Sequence, residues 1–427
     1  MYDAWVDAIE DEEIAAAVFV DMSAAFDVVD HTILLEKLKL YGFEESALDW
    51  FKNYLSNRSQ QVYVDGTLSP PLDLEAGVPQ GSILGPLLYI LMSSDLPEAI
   101  HTLEAHPEQI QDPEEQHTEE QSQVSYNYSC QDCGSLCCYA DDSTYSKSNK
   151  DTDILKNEID SAYKILDDYM AKNKLVLNSD KTHLLVLASS KNHKKHDNYG
   201  LTLDTGSEII EPSDYEKLLG GFVSNDLTWK EHIRDNEHSL FKILTSRINA
   251  LSKISKISSF KTRKMIANGI FISKLIYLIQ LWGGCSQFLL NFLQKLQNRA
   301  ARLVTKRNVY TPVQDLLTQC GWLSIRQLIV YHDLLQVYKT KKTQRPGYLV
   351  KKFSRKFGAG NRYPTSLSES DAIRVDSRIR TDLGKSNFSY VAANLWNQLP
   401  VAIRRCPTLG GFKSSTKRWI KTNIEIG

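Results

Sequence analysis

The chain has 427 residues, room for roughly two to four domains, and its 42% apolar and 24% charged residues fit an ordinary globular protein rather than a disordered or fibrous one. The net charge of −2 conceals a polarity: residues 1–229 hold 15 Lys and Arg against 42 Asp and Glu, and residues 230–427 hold 35 against 10. An acidic half joined to a basic half suggests metal chemistry beside a polyanion-binding surface, or two halves that attract each other.

Seven cysteines, four of them between Cys130 and Cys138, do not resemble a secreted disulfide framework. The acidic N-terminus lacks the long apolar run of a signal peptide. The most apolar stretch, Met265 to Trp282, is interrupted by Asn268, Lys274 and Gln280, so it reads as a packed helix rather than a membrane span. A soluble protein of a reducing compartment, with no membrane partner, is expected.

In chain order, Val18 to Val20 form a short apolar strand that ends on Asp21. Asp30 is placed to cap a helix through Leu34, Leu35 and Leu38, closed by Gly42. A second helix starts near Glu45 with Leu48, Phe51 and Leu55 on one face. Gln60 to Val64 alternates like a strand and stops at the turn signal Asp65-Gly66. In Gly77-Val-Pro-Gln-Gly-Ser-Ile-Leu-Gly-Pro-Leu-Leu-Tyr89, a tight glycine and proline turn opens an apolar run that reads as a buried helix. Residues 98–125 then hold eight acidic residues and no Lys or Arg, a composition too polar to fold alone, and are expected to be a mobile insertion.

Leu136-Cys-Cys-Tyr-Ala-Asp-Asp-Ser-Thr-Tyr-Ser146 reads as a β-hairpin with Asp141 and Asp142 at its turn. Adjacent like charges repel, so a fold that fixes them usually supplies a cation, and hard oxygen ligands suit Mg²⁺. An Asp-rich solvated turn is the competing reading. Leu155, Ile159, Ala162, Leu166 and Tyr169 recur at helical spacing, and a strand–turn–strand follows from Leu175 to Leu187. Tyr215 to Asn225, with Gly220-Gly221 inside, reads as a strand with a bulge. From Trp229 onward the pattern is helical and basic. In the helix from Phe288 to Val304, Leu289, Phe292, Leu293, Leu296, Ala300 and Leu303 form the apolar stripe. Lys295, Arg299, Arg302 and Lys306 share an adjacent face that can track a phosphate backbone or simply face solvent. Trp396 and Trp419 are expected in a small C-terminal core. Cys130, Cys133, Cys137 and Cys138 could bind Zn²⁺, but their irregular spacing favours core and loop thiols.

Three stretches in this order resemble the reverse transcriptase of non-LTR (LINE-type) retrotransposons: Phe19-Val-Asp-Met-Ser-Ala-Ala-Phe-Asp27, Gly77 to Leu88, and Tyr139-Ala-Asp-Asp142. Weaker matches are Asn178 to Thr182, Lys217 to Gly220, Phe388 to Tyr390 and Ala393 to Pro400. The resemblance implies an α+β right-hand polymerase palm, an antiparallel sheet backed by helices, then a helical thumb and a basic C-terminal region. The expected boundaries are 1–97 and 136–228 for the two parts of the palm, 98–135 for the insertion, 229–310 for the thumb and 311–427 for the C-terminal region.

It implies RNA-directed DNA synthesis from a primer 3′-hydroxyl by two-metal nucleotidyl transfer, with two Mg²⁺ ions. The partners implied are an RNA template, a DNA primer and deoxynucleoside triphosphates, in the nucleus where the target is chromosomal. Asp21, Asp141 and Asp142 resemble the metal-binding triad. Backbone amides near Ala24 and Ala25 would meet the triphosphate, and the Phe26 ring would exclude a ribose 2′-hydroxyl. Gln80 and Gly81 would line the nucleotide pocket, where glycine permits close approach. Lys181 resembles the lysine that protonates the leaving pyrophosphate, a plain surface lysine being the competing reading.

The pattern departs from the family in three places. The fingers and the endonuclease expected before Asp21 are missing from the sequence, an acidic insertion precedes the Asp-Asp hairpin, and Ala24 stands where a lysine is common. An inactive truncated relic that binds nucleic acid without polymerising is therefore the main rival, and a metal-dependent nuclease the second.

Overall fold

Ile14 to Val20 is a run of small and branched apolar residues, and every one of them is buried. Such a run suits only a strand covered on both faces, so this strand becomes the centre of the sheet. The computed structural model describes residues 1–22, 24–105, 134–140, 142–189, 200–354, 371–375 and 378–425. These residues divide into two compact units, one of residues 12–214 and one of residues 2–11 with 215–427.

The sheet of the first unit has five strands: β1 (Ile14–Val20), β2 (Ser135–Tyr139), β3 (Asp142–Asn149), β4 (His183–Leu187) and β5 (Pro212–Ser213), in the spatial order β5-β4-β1-β3-β2. β1 pairs antiparallel with β3 from Ile14↔Asn149 to Val20↔Ser143, and with β4 from Ala15↔Leu187 to Phe19↔His183. The expected antiparallel sheet needs one correction, because β5 runs parallel to β4 and makes the sheet mixed. The long connection after β4 gives the chain room to return in the same direction, which a tight hairpin cannot do.

α1 (Tyr2–Glu10) belongs to the second unit. In the first unit the helices are α2 (His31–Leu40), α3 (Glu45–Leu55), α4 (Leu84–Ser93), α5 (Leu96–Ala105) and α6 (Thr152–Lys172). Alternate residues of β1, Ile14, Ala16, Val18 and Val20, share one core with Leu34 and Leu38 of α2, Leu88 and Met92 of α4, and Leu155, Ile159 and Leu166 of α6. Asp30 caps α2 as its sequence position suggests, accepting from the Thr32 and Ile33 amides at 2.9 and 3.0 Å, a contact worth about 1 kcal/mol. Between α2, α4 and α6, the Lys37 ammonium lies 2.7 Å from Asp95 and 3.1 Å from the Tyr169 hydroxyl. Burial draws the Lys37 pKa down and the Asp95 carboxylate opposes that shift.

In the second unit, α7 (Leu240–Ser255) packs on α8 (Gln287–Thr305), and α9 (Ile325–Thr343) packs on α10 (Phe388–Gln398) and α11 (Leu409–Asn423). A capping box of Ser324 and Gln327 opens α9. No helix among the described residues is long and apolar enough to cross a membrane.

Several other expectations change. Residues 98–105 continue α5, so the acidic stretch begins within a helix; 106–133, with Cys130 and Cys133, lie outside the described residues. The two compact units divide between Asp214 and Tyr215, with residues 2–11 in the second. Gln60 to Val64 is not one strand. It splits into Ser59–Gln60 and Tyr63–Val64, which pair with different partners because Val62 turns to bond Ser69. The Met265 to Trp282 stretch is a broken helix, interrupted where Leu278 takes φ +56°. Only one face of α4 is buried, with Leu87 and Ile90 exposed. Trp396 is buried as expected, but its ring neighbour is Phe412, 6.0 Å away, and Trp419 is half-buried. Cys137 and Cys138 are exposed rather than in the core, since β2 is an edge strand.

Candidate active site

Asp21 follows β1 directly. Extending the register Val20↔Ser143 by one position sets Asp21 opposite Asp142, the first residue of β3. The hairpin between β2 and β3 closes at Tyr139↔Asp142, and Ala140 takes φ +56° to make the turn. A left-handed alanine is uncommon, and here it closes the turn that starts β3 on Asp142 at the end of the sheet. Asp141 lies outside the described residues.

The other neighbour of β1 brings a cation to the same end. Phe19↔His183 is the last pair of β1 with β4, and the Ser179–Lys181 turn leads into it. The Lys181 Nζ lies 2.8 Å from the Asp21 Oδ2. The turn is pinned by the Asn178 amide, which donates to the Asp21 carbonyl at 3.0 Å, and by a bridge between Met22 and Leu177. The Lys181 side chain is 63% exposed, and ion pairs this open are worth about 0–1 kcal/mol, so stability does not account for it.

Among the described residues no group of three His, Cys, Asp or Glu side chains is clustered as a metal site. The described side chains that the register brings together at this sheet end, Asp21 and Asp142, are nevertheless both carboxylates. In kind they fit a hard divalent cation.

A second feature lies just past Asp21. Ala24 is exposed with φ +50°, and its carbonyl accepts from the Asp27 amide at 2.7 Å, closing a turn. Ala25 is buried in the core. The Phe26 ring is half-buried, its centroid 4.8 Å from that of Tyr89 on α4. Three bonds tie this turn to the glycine turn before α4. The Val78 amide donates to the Phe26 carbonyl at 2.8 Å, the Gly77 amide to the Val29 carbonyl at 2.8 Å, and the Gln80 Nε2 to the Asp27 Oδ1 at 2.8 Å. The His31 Nε2 adds a bond of 2.7 Å to the Gly77 carbonyl.

A Cβ at Gly81 would meet nothing within 4 Å, so the space beside it is open, and its φ of +76° favours glycine. Within the fold the close backbone contact is at Gly77, where a Cβ would sit 2.7 Å from the Asp27 carbonyl oxygen. The roles of Asp27, His31 and Gly77 are not visible in the sequence. Nothing local in the sequence signals that they meet, since the bonds join segments far apart in the chain.

On α8, Lys295 and Arg299 are exposed on the face adjoining the apolar stripe. The Arg302 Nη2 is turned to the Val309 carbonyl at 3.4 Å, and Lys306, in the left-handed position after the helix, is exposed.

The sequence signature of the family described as reverse transcriptase (RNA-dependent DNA polymerase) matches residues 8–203, which hold the five-stranded sheet up to β4 and both turns. The jockey RNA-directed DNA polymerase of Drosophila funebris is 27% identical over 317 residues, 73% of this chain and 30% of its own length. The corresponding protein of transposon BS from Drosophila melanogaster is 28% identical over 337 residues, 76% of this chain and 33% of its own. That of the X-element from the same species is 26% identical over 330 residues, 77% of this chain and 31% of its own. In sequence the chain is thus similar to reverse transcriptases, and in particular to the RNA-directed DNA polymerases of jockey, BS and the X-element. It spans about a third of the length of these relatives. Among solved structures, telomerase from Candida tropicalis in complex with a TWJ fragment of telomeric RNA covers 75% of this chain and 51% of that one, at 12% identity and a TM-score of 0.34. A likeness that low carries no argument.

Proposed function

We propose that this chain extends the 3′-hydroxyl of a DNA primer along an RNA template, with residues 12–214 as the palm of a right-hand polymerase. The helices that begin at Leu240 would serve as thumb and basic C-terminal region. The observation that carries this reading is the pairing of β1 with β3, which sets Asp21 opposite Asp142 while β4 delivers Lys181 to Asp21.

Asp21, Asp141 and Asp142 would hold the two Mg²⁺ ions. Bound there, the ions lower the pKa of the primer hydroxyl and offset charge on the phosphates in the transition state. The strands do the positioning, holding carboxylates from two segments at one end of the sheet. Lys181 gives its Nζ proton to the leaving pyrophosphate. The amides near Ala24 and Ala25 receive the triphosphate, and Phe26, braced by Tyr89, blocks a 2′-hydroxyl. Gln80 and Gly81 line the nucleotide pocket. Lys295 and Arg299, with Arg302 and Lys306 behind them, hold the phosphate backbone of template or primer. The template would be the RNA of the element itself, and the site of action the nucleus.

Incorporation of labelled dTTP on an RNA template with a DNA primer and Mg²⁺ tests this, with Asp21→Asn and Asp141→Asn as controls. Incorporation by the chain that both substitutions abolish is the expected result. Salt-sensitive RNA binding with no incorporation would sink it in favour of a binding protein that retains the carboxylates. Shortening of the primer without extension would favour a nuclease.

A further inference from the structure

Asp27 ends the first motif, and neither the metal site nor the triphosphate contacts use its side chain. Its carboxylate receives the Gln80 Nε2 at 2.8 Å, across 53 positions of the chain. We infer that Asp27 is a positioning residue that fixes which way the Gln80 amide faces, and so what Gln80 shows to an incoming nucleotide.

The chemistry of the two groups dictates the direction. An amide side chain has a donor end and an acceptor end of nearly the same shape, so a solvated glutamine presents either. An ionised carboxylate only accepts. It can bind the Nε2 end and repels the Oε1 end, so Gln80 keeps its carbonyl oxygen and its second N–H directed away from Asp27. The backbones around the pair are held independently. Val78 bonds Phe26, Gly77 bonds Val29, and Gly77 lies against Asp27 with no room for a Cβ. With both backbones anchored, only side-chain torsions remain for the bond to set.

The pair is exposed. A bond open to water adds little to stability, so folding alone does not account for a carboxylate at this place, whereas a fixed acceptor beside a nucleotide pocket does. A nucleotide ligand then meets an acceptor oxygen at a constant position, which favours partners with a hydroxyl or N–H there. This inference rests on the polymerase reading of the site.

The test is a double-mutant cycle on the full chain, with steady-state incorporation on an RNA template and DNA primer. Asp27→Ala is expected to raise the KM for deoxynucleoside triphosphate by about fivefold with kcat little changed, the size of one hydrogen bond of roughly 1 kcal/mol. In a Gln80→Ala background the same substitution should have no further effect, and Asp27→Glu should recover part of the loss. Glutamine side-chain ¹⁵N spectra supply an independent readout. The Gln80 NH₂ pair, assigned by its absence in Gln80→Glu, should shift in Asp27→Ala while the other side-chain amides stay in place.

A KM effect of Asp27→Ala that persists without the Gln80 side chain overturns the inference while leaving the polymerase reading intact. So does an unmoved Gln80 signal. An unsubstituted chain that incorporates nothing overturns the polymerase reading and the nucleotide-selecting role with it, whatever the spectra show.

Discussion

Lys181 and Asp21 meet at 2.8 Å although 160 positions separate them, and they do so because β1 lies between the strands that carry the rest of the site. The pair is exposed enough to contribute little to folding. A proton donor for the leaving group needs this combination of reach and freedom. Lys181→Ala should therefore lower kcat by about 10²-fold with KM nearly unchanged. Lys181→Arg should restore the charge and not the rate. A plain surface lysine would leave kcat as it was.

The same ion pair sets up a competition. A cation arriving at Asp21 must share the carboxylate with the Lys181 ammonium or displace it, so removing that charge favours the metal. Calorimetric titration of Lys181→Met with Mn²⁺, in the absence of substrates, should show several-fold tighter binding than the unsubstituted chain. Asp21→Asn should weaken it. Equal affinity in all three chains would place the metal elsewhere.

Gly77 is the point where the two turns touch. Its φ is +89°, and a methyl group would collide with the Asp27 carbonyl at 2.7 Å, so alanine is opposed both by its own conformation and by its neighbour. Gly77→Ala is expected to cost on the order of 2–4 kcal/mol and to lower the thermal midpoint of the first unit. Gly81→Ala meets the backbone penalty alone and should cost less. Midpoints that fall equally would show that the collision is relieved cheaply.

The α8 cations separate by exposure. Lys295 and Arg299 face solvent, and each neutralised phosphate releases counterions. Lys295→Ala and Arg299→Ala should each reduce the slope of log K against log salt for RNA binding by about one. Arg302→Ala, whose guanidinium is turned to Val309, should change the slope less and the stability more. Slopes that do not move would mean that this face of the helix is merely solvated.

Local features carried well from the sequence to the fold. Asp30 caps α2, the spacing of Leu155 to Tyr169 gives α6, and the apolar run before Asp21 is the central strand, because each depends on residues close in the chain. Motif order singled out Asp21, Asp142, Lys181 and Gln80 as candidates, and the fold brings the first three to one end of the sheet. What motif order lacked were the long-range contacts: Gln80 to Asp27, His31 to Gly77, and Gly77 against the Asp27 carbonyl. No periodicity encodes these, since they follow from how the sheet and α4 pack. The strand expected over Tyr215 to Asn225 is instead a local hairpin, Tyr215–Leu218 paired with Gly221–Ser224.

That hairpin also sets a pH response in the second unit. The Phe222 amide donates to the Nδ1 of His232 at 3.4 Å, and the Nε2 of His232 is buried without a partner among the described residues. Burial, with the Lys274 ammonium as a lesser cause, draws its pKa from 6.5 down to about 4. The unfolded chain therefore binds a proton that the folded one refuses between pH 6.5 and 4. The stability contributed by the neutral ring is fully present above that window and is lost as pH falls through it, on the order of 3 kcal/mol at its lower end. Protonation would also remove the acceptor that holds the Phe222 amide. The hydrogen-exchange protection of that amide should fall from pH 6.5 toward 4, ahead of amides in the first unit. In His232→Gln, which does not titrate, the pH dependence of protection should flatten. A protection factor for Phe222 that stays constant across the window in the unsubstituted chain would show that His232 is free to ionise in the fold.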